Sequence, residues 1–164
     1  MSEILRLFGS VLIVLGAIIL GRGYGEYCER RLKESEGFLA FLVHARGEVV
    51  RSLTPPEGFV RSFRSEALEG SGFLSALRGG ESLGSAFESS MKKSSLGKEL
   101  RELLSEFFSE FGRDYKDGET ARIEDYIERL RTVVESEREN LEKNSKICRV
   151  LLVAGALGLI ILMI

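Results

Sequence analysis

The last stretch of the chain limits its fold more than any other. Glu119–Ile164 reads as one helix, polar where it starts and apolar where it ends. Its closing run, Val150–Ile164 (VLLVAGALGLIILMI), has no charge and no polar side chain. A helix apolar on every side belongs inside a protein core or a bilayer. A second apolar run, Leu7–Leu20, lies near the other end. A hydrocarbon core of ~30 Å takes about 20 helical residues. The first span therefore covers residues 5–24, with Arg6 and Arg22 reaching to the headgroups, and the second covers residues 148–164. Between them, residues 26–147 form a polar segment of about 120 residues, enough for a modest helical core.

Charge at the flanks sets an orientation. Arg22, Arg30, Arg31 and Lys33 follow the first run, and Arg138, Lys143, Lys146 and Arg149 precede the second. Both basic flanks belong to the middle segment. Lys and Arg stay on the cytoplasmic side, so the middle is expected in the cytoplasm and both termini outside, as a membrane hairpin. A cleaved signal peptide competes for the first run, because Gly21 and Gly23 would suit a cleavage site.

The middle reads as helices throughout. Leu32, Leu39, Leu42, Ala45, Val49 and Leu53 recur at helical spacing, widened by Phe38 and Phe41. Thr54-Pro55-Pro56-Glu57 ends that helix and starts another, with Thr54 as cap and Pro55 at the first helical position. A short helix is expected through Phe59, Val60, Phe63 and Leu68, another around Phe73–Leu77, and a third over Ser82–Lys93. Leu96–Phe111 is the clearest, with Leu100, Leu103, Leu104, Phe107 and Phe108 on one face. Gly112–Gly118 reads as a polar turn. In the last helix Ile127, Val134, Leu141 and Cys148 lie seven apart, and so do Ile123, Leu130, Glu137 and Asn144. This is a coiled-coil-like seam whose second set turns polar toward the membrane. The best-packed core is expected at Ile123–Val134; nearer the bilayer either the two long helices form a looser stalk, or Glu137 and Asn144 are candidates for a partner-facing surface. The fold class is all-α: a membrane-anchored antiparallel helical bundle with a transmembrane helix at each end.

Chemistry is sparse. A net charge of −2 excludes a nucleic-acid surface built on basic surplus. The single His44 has no second ligand at metal spacing, and Cys28 and Cys148 match neither a metal pair nor a redox motif. They read as small buried thiols. There is no phosphate-binding GxxxxGK[ST] loop and no GxSxG. Gly21-Arg22-Gly23-Tyr24-Gly25 follows no strand, so it reads as helix packing or a hinge. The carboxylate pairs Glu102/Glu106 and Glu135/Glu139 read as solvated helix faces. No cofactor, no metal and no enzymatic activity are expected. In the spans, Gly21 and Gly25, and Ala154 and Gly158, are pairs of small residues four apart. That spacing lets helix backbones approach closely in lipid, within the chain, between copies in a homo-oligomer, or against a partner's spans.

The order of parts resembles the stage III sporulation protein AB family over nearly the whole chain. LRLFGSVLIVLGAIILG (Leu5–Gly21), ERRLKESEGFLAFLVHARGEV (Glu29–Val49), LTPPEGF (Leu53–Phe59), GFLSALRGGESLGSAFESSM (Gly72–Met91) and FFSEFGRDYKDGETARIEDYIERL (Phe107–Leu130) carry the resemblance. It implies a cytoplasmic fold similar to that of type II secretion F proteins. It also implies a place in the mother-cell membrane facing the forespore, within a secretion-like channel complex needed for late forespore gene expression. The implied partners are the other channel proteins, including the sporulation AA ATPase, and the family brings no catalytic residues. The alternatives are an F-type platform of a pilus or type II-like secretion system, which predicts a longer chain with a duplicated bundle, and a membrane-tethered signalling domain.

Overall fold

The computed structural model describes residues 2–51, 62–111 and 116–163, and among them every regular element is an α-helix. They are α1 (Ser2–Arg51), α2 (Glu66–Gly70), α3 (Phe73–Arg78), α4 (Leu83–Ser90), α5 (Lys98–Glu110) and α6 (Lys116–Met163). The chain divides into two compact units. One comprises Arg30–Glu137; the other joins Met1–Glu29 with Arg138–Ile164.

The Arg30–Glu137 unit is built around phenylalanine. Phe38 is fully buried, and its ring lies 5.0 Å from Phe73, 5.6 Å from Phe87 and 6.3 Å from Phe108. Four helices thus meet on one α1 side chain. Offset and edge-to-face contacts of this kind add about 0.5–1.5 kcal/mol per pair beyond area burial. Leu100, Leu103, Leu104 and Phe107 of α5, with Ile123, Tyr126, Leu130 and Val134 of α6, complete the core. The expected packing at Ile123–Val134 is present.

Local chemistry explains the short helices. Gly72 and Gly80 stand at φ +88° and +92°, a left-handed backbone that favours glycine, and they separate α3 from its neighbours. Ser65 caps α2 by accepting from the Leu68 N–H at 3.4 Å, and Ser82 caps α4 through the Ser85 N–H at 3.3 Å.

Three expectations need correction or fall outside the described residues. The helix expected through Phe59, Val60, Phe63 and Leu68 is not continuous: Ser62 is helical, Phe63–Ser65 are not, and α2 starts at Glu66 behind its cap Ser65; Phe59 and Val60, like Thr54–Glu57, lie outside the described residues. The last helix, expected from Glu119, has begun by Lys116, so Lys116–Gly118 are helix and not turn; Gly112–Tyr115 lie outside the described residues. The helix expected over Ser82–Lys93 ends at Ser90, and Met91–Lys93 turn.

In the other unit, α1 is long and apolar enough to cross a membrane, with few of its residues buried. Phe8, Leu12, Ile19 and Leu20 are exposed, and so are Val150, Leu151, Val153 and Ile161 of α6.

Candidate functional site

Two of the polar side chains buried in the Arg30–Glu137 unit, Glu34 and Ser35, lie where α1, α6 and the Ser94–Gly97 segment meet. Glu137 lies on α6, yet its partners lie on α1. Arg31 Nε donates to Glu137 Oε1 at 2.9 Å, and Arg31 Nη2 makes a second bond to the same oxygen. The hydroxyl of Ser35, itself fully buried, donates to Glu137 Oε2 at 2.8 Å. Glu137, a candidate for a partner-facing surface in the sequence, has its carboxylate bonded within its own chain. Asn144, the other residue of that set, is exposed.

Gly97 makes the arrangement fit. A β-carbon there would stand 2.2 Å from both Arg31 Nη2 and Glu137 Oε1. The backbone passes against the ion pair, and any side chain would push it apart. One turn of α1 further on, Glu34 is buried, and its Oε2 accepts from the Ser95 N–H and hydroxyl at 2.8 Å each. Its Oε1 has no hydrogen-bond partner among the described residues. These bonds tie the segment before α5 to α1. Neither Gly97 nor Ser95 stood out in the sequence. Glu137 did, because it interrupts an apolar seam.

A shallow cleft of about 450 Å³ lies between α5 and α6, lined by Leu103, Glu106, Arg129 and Val133 among others. Its charges answer one another: Arg129 reaches Glu106 at 3.8 Å and lies 5.1 Å above the Tyr126 ring. Burial, and then hydrogen bonding to Glu106, push the Tyr126 phenol up to about 12. The carboxylates read as solvated pairs also meet cations, Glu102 with Lys98 at 3.7 Å and Glu139 with Lys143 at 3.5 Å. His44 Nε2 lies 3.1 Å from the Ser62 hydroxyl, and its ring packs 5.4 Å from Phe63. No cluster of metal-ligating side chains occurs among the described residues.

In the unit formed by the two chain ends, Gly21 and Gly25 of α1 face α6. A β-carbon on Gly21 would touch Leu152 Cδ1 at 3.6 Å, and one on Gly25 would lie 3.9 Å from Arg149 Nη2. Ala154 is exposed, and nothing lies within 4 Å of a β-carbon on Gly158. One small-residue pair thus lies between the helices and the other does not. Cys28 is buried and Cys148 half-buried, both as free thiols.

A groove of about 820 Å³ runs between these helices, with Ala17, Gly21, Leu152 and Ala156 among its apolar lining and Arg22 and Arg149 at its polar end. No curated protein and no solved structure matches the chain. The family model for stage III sporulation protein AB matches residues 6–164. This chain, apolar at both ends with a phenylalanine-centred helical unit between, belongs to the stage III sporulation protein AB family.

Proposed function

We propose that this stage III sporulation protein is a non-enzymatic membrane platform. Its two apolar ends form spans at residues 5–24 and 148–164. Its middle, residues 26–147, is a cytoplasmic antiparallel bundle that docks the AA ATPase and couples it to a channel complex between mother cell and forespore. The observation that carries this reading is the extent of the family match, which takes in both apolar ends and the polar middle together. The ion pairs add support. Arg31 pairs with Glu137 and Arg46 with Glu124, so residue numbers rise along α1 as they fall along α6, the sense an antiparallel hairpin requires. The basic flanks Arg22–Lys33 and Arg138–Arg149 favour a cytoplasmic middle.

The reading is tested by cysteine labelling in intact cells. In a chain with Cys28→Ser and Cys148→Ser, a cysteine at the exposed position Ser105 should resist a membrane-impermeant reagent until the cells are permeabilised. One at Ser2 should react at once. Labelling of Ser105→Cys in intact cells would place the helical unit outside and overturn the platform. ATPase docking has its own test. The full chain in detergent should retain the ATPase, and a chain lacking residues 30–137 should not. Retention by the truncated chain would move docking to the spans.

A further inference from the structure

The groove between the apolar parts of α1 and α6 has two chemistries along its length. Its walls at Ala17, Gly21, Leu152 and Ala156 carry no hydrogen-bonding side chain. Its other end is lined by two guanidinium groups, Arg22 and Arg149, and two carboxylates, Glu26 and Glu29. Arg22 directly follows the apolar part of α1 and Arg149 directly precedes that of α6, so both mark the same end of the groove. Arg149 donates one bond, to the Ser145 hydroxyl at 3.3 Å; Arg22 and Glu26 make no hydrogen bond or ion pair among the described residues. The volume of about 820 Å³ falls within the ~300–1,000 Å³ usual for sites that take a small molecule.

We infer that this groove holds one phospholipid with a zwitterionic phosphate–ammonium headgroup, one of its two acyl chains along the small-residue walls and its phosphate between Arg22 and Arg149. The charges choose this occupant. A purely apolar occupant, such as a partner's membrane helix, would leave Arg22 and Glu26, one charge of each sign, unanswered at the polar end. Pockets between membrane helices that present cations at the cytoplasmic face take phospholipid headgroups, and arginine binds phosphate by paired N–H bonds. The two carboxylates cancel the basic surplus, so a net-anionic headgroup gains nothing over a zwitterionic one, while an ammonium is met by Glu26. The inference rests on the proposal that both apolar ends lie in the membrane with Arg22 and Arg149 at the cytoplasmic face.

The test is native mass spectrometry of the full chain released from nanodiscs containing equal phosphatidylethanolamine and phosphatidylglycerol. One phosphatidylethanolamine per chain should be retained. Arg22→Gln with Arg149→Gln should lower its occupancy about tenfold or more, the loss expected for two charge-assisted bonds. Glu26→Gln should keep a bound phospholipid but abolish the preference between the two headgroups. Equal retention by the wild type and the double arginine variant, a preference for phosphatidylglycerol, or a lipid-free dimer would each overturn the inference. Far-UV circular dichroism of each variant controls for folding. Alkaline extraction separates the two readings: a chain that stays in the membrane but carries no lipid sinks only this inference, whereas a chain extracted by alkali sinks the platform as well.

Discussion

Arg31 and Glu137 are 106 residues apart in sequence and joined by two hydrogen bonds against the backbone of Gly97. The Glu137 side chain keeps 12% of its exposure and that of Arg31 26%, so the pair is screened less than a surface ion pair and more than a core one. Removing Glu137 takes two hydrogen bonds from Arg31 and leaves the Ser35 hydroxyl only the Arg31 carbonyl, at 2.9 Å, to donate to. Glu137→Ala should cost about 1–3 kcal/mol, read as a lower denaturation midpoint of the full chain in detergent. Glu137→Gln should cost less, because its amide oxygen can still accept from Ser35. Gly97→Ala removes no contact yet should cost a similar amount by forcing the pair apart. Combined with Glu137→Ala, its effect should fall short of the sum, since both act on one interaction. Full additivity would mean that Gly97 is not held clear for the ion pair.

Phe38 is where the core is least replaceable. It touches rings from α3, α4 and α5, so no single helix can shift to fill its absence. Phe38→Ala should destabilise by about 3–5 kcal/mol. Phe63→Ala, whose ring is only half-buried and packs on Phe41 at 5.4 Å, should cost clearly less in the same unfolding experiment. Equal losses would show that the core is not centred on Phe38.

Tyr126 ties stability to alkaline pH. Folding raises its phenol from 10.0 to about 12, so the folded chain holds the proton where the unfolded chain gives it up. The stabilisation from this group is complete below pH ~10 and is lost as pH rises through ~12. At ~1.4 kcal/mol per pH unit the loss reaches about 2–3 kcal/mol. Tyr126→Phe should flatten the fall in stability between those limits, and should remove from the absorbance curve a phenol that ionises near pH 12. An unchanged alkaline limb would refute the assignment.

What was legible in the sequence follows from what local pattern can encode. The buried face of α5, Leu100 to Phe108, and that of α6, Ile123 to Val134, repeat at helical spacing, and periodicity of this kind needs no knowledge of the partner surface. Phe38 and Phe41 were readable as part of α1's stripe, though not as the meeting point of four helices. The partner of Glu137 was not readable, because its match with Arg31 depends on how α1 and α6 are registered across more than a hundred residues. Gly97 has an ordinary extended φ of −64°. Its need for glycine comes from side chains far away in sequence, so no turn motif could mark it. The break at Phe63–Ser65 was not legible, because the apolar spacing of Phe63 and Leu68 outweighs the single capping hydroxyl of Ser65.

Two glycines on α1 offer a contrast in which the same change has opposite signs. Gly37 and Gly47 both lie inside the helix, where alanine is preferred by about 1 kcal/mol on backbone grounds alone. At Gly47 nothing lies within 4 Å of an added β-carbon, so Gly47→Ala should raise stability by about 0.5–1 kcal/mol. At Gly37 the β-carbon would meet Ser65 Oγ at 3.0 Å and Leu68 Cγ at 3.1 Å. Leu68 is fully buried and Ser65 is the cap of α2, so neither yields without moving that helix. Overpacking of this kind costs about 1–3 kcal/mol, which exceeds the backbone gain. Gly37→Ala should therefore destabilise, and hydrogen exchange should quicken first at the Leu68 amide, whose bond to Ser65 is the cap. If both alanines stabilise the chain, α2 does not sit on α1 at Gly37.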